Sequence, residues 1–203
     1  MKYLNFYKIQ KSEWMKSSNK KENKMNVWGV YMASKISFEA VKFHAVRFIG
    51  KEVIVGKKNP VPDLWKKMLN DGTNDFLQSL QERVSPLGDT IGWMGEYNQQ
   101  TKEFVYIAGI FATPNATVPD GFSYRDIPDC LMGVGWIQGN TSNLEKGAHI
   151  KTEKIMRANG YVPDYSIVGI SMEYYSFDRY ANVKEDGNNT FTFGYYLPCK
   201  RMI

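Results

Sequence analysis

The sequence predicts an α+β fold: duplicated βαββ halves forming one antiparallel sheet with two helices on one face. Three observations predict it. The stretch Gly92-Trp93-Met94-Gly95-Glu96-Tyr97 is echoed by Gly169-Ile170-Ser171-Met172-Glu173-Tyr174, both reading Gly-x-x-x-Glu-Tyr. Each copy follows a segment with helical periodicity. Each also leads through a polar turn into a second aromatic strand, which gives consecutive hairpins and favours antiparallel pairing. With 203 residues, the chain is long enough for one sizeable domain or two fused halves.

The elements follow in order. Residues 1–25 begin with Leu4, Phe6, Tyr7 and Ile9, then turn polar, and read as a basic arm or linker before a domain spanning 26–203. Val27 to Ala33 reads as a short strand. Phe38 to Val55 alternates as one longer strand, with Gly50 marking a bulge or bend. Asn59-Pro60-Val61-Pro62-Asp63 opens a helix, because proline is tolerated in the first turn and Asp63 suits its positive end. Leu64, Trp65, Met68 and Leu69 form its apolar stripe. Asp71-Gly72 breaks or kinks it before a continuation through Phe76, Leu77, Leu80 and Val84. Thr90 to Tyr97 and Glu103 to Ala112 make a hairpin, the second strand apolar on both faces as a central strand is.

The pattern then restarts. Phe122 to Asp126 and Cys130 to Ile137 are strands, with Pro128 at an edge or bend. Ser142 or Asn143 caps a second helix to about Asn159, stopped by Gly160 with Pro163 beyond. Val168 to Tyr175 and Thr190 to Leu197 make the last hairpin, with a polar connection including Lys184 to Asn189. The two halves span about 36–113 and 117–201, and duplication places a ligand site at their seam.

The net charge of +5 does not point to nucleic acid. Residues 1–25 hold seven lysines against two glutamates, which accounts for the whole excess. A lysine-rich arm is ordinarily a solvated segment, and no direct nucleic-acid partner is expected. Two cysteines, Cys130 and Cys199, and two histidines, His44 and His149, show no metal-ligand spacing, so neither a metal nor a cofactor is expected. Reduced thiols and the absence of an apolar run long enough to span a bilayer suit a cytoplasmic protein without a membrane partner. No phosphate loop, dinucleotide glycine pattern or Ser-His-Asp order is present.

What stands out is the aromatic content, 14% of the residues, with thirteen Tyr, eleven Phe and five Trp. Such an excess suits either an aromatic β core or a binding cavity. Glu173, inside an aromatic strand, is costly to bury without a partner or a role. By alternation Ser171, Glu173 and Tyr175 share one face, and Ile170, Met172 and Tyr174 the other. If Glu173 faces an open cleft, the apolar set is expected under the helices. Tyr106, Trp136, Tyr196 and Trp93 are the candidate walls. Glu96, the counterpart of Glu173, lies beside a solvated turn.

The second half resembles the GyrI-like effector-binding family. The likeness runs through Val118-Pro119-Asp120-Gly121-Phe122, Ile127-Pro128, Asn159-Gly160-Tyr161, Met172-Glu173-Tyr174 and Tyr195-Tyr196-Leu197-Pro198-Cys199-Lys200. That family comprises stand-alone proteins and the drug-sensing domains of multidrug-responsive regulators. The resemblance implies a duplicated βαββ fold and an aromatic cleft in which the glutamate of the Met-Glu-Tyr motif, here Glu173, binds cationic ligands. Some stand-alone members hydrolyse cyclopropane-bearing DNA alkylators. Two functions therefore stand as expectations. One is binding of a hydrophobic or cationic small molecule, for sensing or sequestration. The other is hydrolysis of a strained electrophile, with Glu173 and Tyr106 as the catalytic pair. A separately encoded regulator and a second copy of the chain both stay open as partners.

Overall fold

The computed structural model describes residues 35–140, 144, 146–167, 170–181 and 190–202. The basic arm, the strand expected at Val27 to Ala33, the helix cap at Ser142 or Asn143 and the Lys184 to Asn189 connection lie outside the described residues.

The elements run β1 (Lys35–Phe43), β2 (Val46–Val55), α1 (Val61–Asn70), α2 (Thr73–Gln78), β3 (Thr90–Asn98), β4 (Glu103–Ala112), β5 (Ser123–Ile127), β6 (Cys130–Asn140), α3 (Ala148–Ala158), β7 (Tyr161–Pro163), β8 (Ser171–Tyr175), α4 (Phe177–Ala181) and β9 (Thr190–Arg201). Eight strands form one antiparallel path in the order β1-β6-β9-β8-β3-β4-β2-β5, and the short β7 adds to β9. The architecture is the expected α+β one.

The order is symmetric about the β8–β3 pair. Strand β2 corresponds to β6, β3 to β8 and β4 to β9, with α1 and α2 answering α3. Each half also has a leading strand that crosses to the other half: β1 pairs β6, and β5 pairs β2. This corrects the single strand expected over Phe38 to Val55. The chain divides at His44-Ala45, where the Ala45 N–H leaves the ladder and donates to the Asp129 carboxylate at 3.3 Å. Gly50 sits at no register shift; the β2–β4 ladder runs unbroken from Arg47 to Val55. A Cβ there would collide with the Ala108 carbonyl oxygen and lie 2.7 Å from its carbon.

The α1 stripe is buried at Val61, Leu64, Trp65 and Met68, and the break comes at Gly72 with φ 82°. The helical continuation ends at Gln78 rather than near Val84. The Val84 N–H instead bonds the Phe111 carbonyl, returning the chain along β4. Helix α3 stops before Gly160, φ 82°, as its sequence predicts.

Helix α1 lies over β2 and β4, and α3 over β6, β1 and β9. They cover the same face of the sheet, with separate cores around Trp65, Met68 and Ile110 and around Ala148, Met156 and Phe193. The other face has no α1 or α3 over it, yet Phe48, Trp93, Met132, Met172 and Tyr174 are buried there. The sheet curls over this face. Phe43 of β1 and Phe111 of β4, far apart in strand order, bring their rings to 5.3 Å.

Candidate functional site

Glu173 stands on β8, the strand that meets β3 at the seam of the two halves. Residues paired across an antiparallel ladder share a face. Glu173 is opposite Gly92 on one side and Tyr195 on the other. Ser171 is opposite Met94, which is opposite Tyr106. Glu173, Ser171, Tyr175, Tyr195 and Tyr106 therefore lie on the helix-covered face, on the strands between α1 and α3. The apolar residues Met172 and Tyr174 point to the helix-free face, the reverse of the arrangement expected if Glu173 faced the cleft. The curl of the sheet buries that face without α1 or α3, so the side they cover is free to carry the carboxylate.

The half-buried Glu173 carboxylate is the hub of a short network. The Tyr106 hydroxyl donates to its Oε2 at 3.1 Å, and the Tyr175 hydroxyl approaches the same oxygen at 3.4 Å. The Trp65 indole N–H of α1 donates to the Tyr106 oxygen at 2.9 Å. Trp65 also meets the Tyr175 ring edge-on at 6.4 Å, and Tyr175 stacks on Phe193 at 5.8 Å. On the α3 side, the Tyr195 hydroxyl bonds the Ser171 hydroxyl at 3.1 Å, and the His149 ring meets Tyr195 edge-on at 5.8 Å. Burial pushes the Tyr195 phenol up to about 12, and the negative charge of Glu173 adds to that rise, against the lowering effect of the Ser171 bond. The result is a carboxylate on the sheet floor with aromatic groups from three strands, β4, β8 and β9, and from both α1 and α3 around it. That combination suits attraction of a positive charge, through the carboxylate and through ring faces.

Of the residues singled out in the sequence, the structure brings Tyr106 to Glu173. Trp93, Trp136 and Tyr196 lie on the opposite face. The register explains it: Trp93 and Tyr196 are both opposite Met172, and Trp136 is opposite Gly194, itself opposite Tyr174. There Tyr196 stacks on Tyr174 at 5.1 Å and meets Trp136 edge-on at 6.1 Å, and burial raises the Tyr174 and Tyr196 phenols above their usual range. Sequence reasoning placed Trp65 in the core stripe and overlooked Tyr195 as a wall. An indole N–H on a buried helix stripe needs an acceptor, and that requirement was the available signal for Trp65.

Glu96 does not join the site. It has φ 57° within an irregularity of β3 between Gly95 and Asn98. Its carboxylate pairs with Arg125, whose Nη2 reaches the second oxygen at 2.9 Å. Arg125 is opposite Phe48, on the helix-free face, and holds the Glu96 carboxyl below the usual range. The bulge turns the pseudo-equivalent glutamate to the other side, so the duplicated motif yields one carboxylate in the cleft.

Among the described residues, no three His, Cys, Asp or Glu are grouped to hold a metal ion, and no helix is long and apolar enough to cross a membrane.

No family model and no curated protein matches the chain. Solved structures do match its fold. SAV2435 bound to tetraphenylphosphonium is 12% identical with a TM-score of 0.56, over 81% of this chain and 94% of that one. The EcmrR C-terminal domain is 11% identical with a TM-score of 0.51, over 84% of this chain and 100% of that one. EcmrR in its DNA complex is 12% identical with a TM-score of 0.52, over 96% of this chain and 68% of that one. The fold is an α+β one, shared with these proteins. More particularly, it is that of the GyrI-like effector-binding domains.

Proposed function

We propose that the face between α1 and α3 binds a hydrophobic, cationic small molecule, with Glu173 as its charge partner and Tyr106, Tyr175, Tyr195 and Trp65 around it. The observation that carries this is the half-buried Glu173 carboxylate held among tyrosine hydroxyls on the sheet floor. A delocalised cation gains from the carboxylate and from the ring faces while losing little hydration. The shared fold with SAV2435 bound to tetraphenylphosphonium supports the ligand class, and the EcmrR complex with DNA supports a sensing role. Binding is favoured over hydrolysis because Glu173 Oε2 already accepts hydroxyl hydrogens, which suits holding a charge more than taking a proton from water.

Calorimetric titration with tetraphenylphosphonium and with the anion of the same shape, tetraphenylborate, tests this. The cation binds and the anion does not, and Glu173→Gln weakens the cation about tenfold or more. Equal affinity for both ions, or a Glu173→Gln protein that binds as wild type does, would sink the reading. A strained electrophile that gains the mass of water on incubation would favour the hydrolase instead.

A further inference from the structure

We infer that the cleft carries a second, uncharged pole at the Ser171–Tyr195 hydroxyl pair, and that its ligand is a cation bearing a hydrogen-bonding oxygen about 7 Å from the charge. The inference rests on the cation-binding reading of Glu173 and narrows its ligand class.

Few positions on the cleft floor are open to a ligand. On the seam strands β3 and β8, the rungs that face α1 and α3 are Thr90 with Tyr175, Gly92 with Glu173 and Met94 with Ser171. Thr90, Gly92 and Tyr175 are buried, whereas Met94, Ser171 and Glu173 are half-buried. On the flanking strands, Tyr106 and Tyr195 are buried at 2% and 6% exposure. A molecule seated at Glu173 therefore meets Ser171 and Met94 next. Ser171 and Glu173 share a face two residues apart on one strand, a rise of about 7 Å. Met94 packs against the cores under both α1 and α3, so its rung with Ser171 lies midway between the helices.

The chemistry at this rung differs from that at Glu173. The Tyr195 hydroxyl donates to Ser171 Oγ at 3.1 Å, and the His149 ring holds Tyr195 from the α3 side, edge-on at 5.8 Å. Both hydroxyls stay uncharged at neutral pH, because burial pushes the Tyr195 phenol up to about 12. Two hydroxyls carry two hydrogens and their mutual bond takes one. The pair can thus present a donor or an acceptor to a third group, with Ser171 as the member within reach. A wholly hydrocarbon cation would cover these hydroxyls without pairing them, at the cost of their hydration. A cation with an alcohol, ether or carbonyl oxygen at the right distance pairs with Ser171, lays its linking carbons on Met94 and keeps its charge at Glu173.

The test titrates two cations into the full-length protein by calorimetry at neutral pH. One is benzyl(hydroxybutyl)dimethylammonium, with its hydroxyl at the chain end; the other is benzyldimethylpentylammonium, with a methyl in its place. The readout is the ratio of the two affinities. Wild type prefers the hydroxyl-bearing ion. Ser171→Ala combined with Tyr195→Phe removes both hydroxyls together, which strands neither, and shifts the ratio about fivefold toward the pentyl ion, the scale of one hydrogen bond. Ser171→Ala alone shifts it the same way by less, because the Tyr195 hydroxyl stays. Glu173→Gln weakens both ions and leaves the ratio as it is. A wild-type preference for the pentyl ion, or a ratio that neither Ser171 variant moves, overturns the second pole alone. Binding of tetraphenylphosphonium with neither probe bound does the same. Failure of all three cations to bind wild type overturns the cation-binding reading beneath it.

Discussion

Gly92 lies directly opposite Glu173 across the β3–β8 ladder, and a Cβ at Gly92 would collide with the hydroxyl of Tyr106, the residue that donates to Glu173. The space above Gly92 is the path by which a β4 tyrosine reaches a β8 carboxylate across an intervening strand. The same Cβ would stand 2.6 Å from Cζ of this buried side chain, so the ring itself would have to shift.

Gly92→Ala is therefore expected to separate Tyr106 from Glu173. Overpacking a buried contact costs about 1–3 kcal/mol. Urea denaturation should show a loss of that size, with a change in the near-ultraviolet signal of Trp65 and Tyr106. A variant with wild-type stability and spectrum would mean that the ring moves aside without cost.

A harsher outcome is expected at Gly50, because its obstruction is backbone. The Cβ of Gly50→Ala would strike the Ala108 carbonyl in a ladder that runs without a register shift on either side. A strand cannot rotate away as a side chain can, so the expected cost is at least as large as for Gly92→Ala, about 3 kcal/mol. Denaturation midpoints of the two variants, measured together, decide the order. A milder effect at Gly50 would contradict the rigidity assigned to the β2–β4 pair.

These two glycines show what the sequence could and could not disclose. The duplication, the helix break at Asp71-Gly72 and the common face of Ser171, Glu173 and Tyr175 are local patterns, written in periods of 2 and 3.6 residues. The pairing of β1 with β6 is not local; residues 35–43 alternate in the same way whichever strand they meet. Which tryptophans share the face of Glu173 depends on register across several strands, and one step of register exchanges the faces. Trp93, Trp136 and Tyr196 went to the far side for that reason. Glu96 was turned away by an irregularity of one or two residues that no alternation rule contains.

On the face opposite α1 and α3, Arg179 of α4 places its guanidinium 3.8 Å from the centre of the Trp136 ring. Glu39 accepts the Trp136 indole N–H and lies 4.0 Å from Arg179. The Arg179 side chain is half exposed, so water screens the charge terms. Arg179→Ala is expected to cost no more than about 1 kcal/mol. It should also uncover one face of Trp136, seen as stronger acrylamide quenching of tryptophan fluorescence. Arg179→Lys should recover less than half of the protection, since an ammonium does not lie flat on an indole. Unchanged quenching in Arg179→Ala would show that Trp136 is covered by other groups.

Asp89 provides a test in pH. Its carboxylate is 2% exposed, accepts the Tyr174 hydroxyl, and accepts the Phe177 N–H at 2.6 Å where α4 begins. Burial raises its pKa above the ordinary value, against the pull of those two bonds. A carboxyl raised in the folded state binds its proton more tightly there than in the unfolded chain. Its contribution to stability is then fully present below the unfolded value of about 3.9 and is lost as pH rises through the folded value. Asp89→Asn does not titrate and keeps one acceptor oxygen for Tyr174 or Phe177. The stability of wild type relative to Asp89→Asn should therefore fall as pH rises from about 3.5 into the mildly acidic range, whatever the constant offset between them. Urea denaturation of both proteins at half-unit pH steps gives that slope. A difference that grows in favour of wild type with rising pH would mean that the Tyr174 and Phe177 hydrogen bonds outweigh burial, and that Asp89 holds α4 as an anion stabilised by its donors.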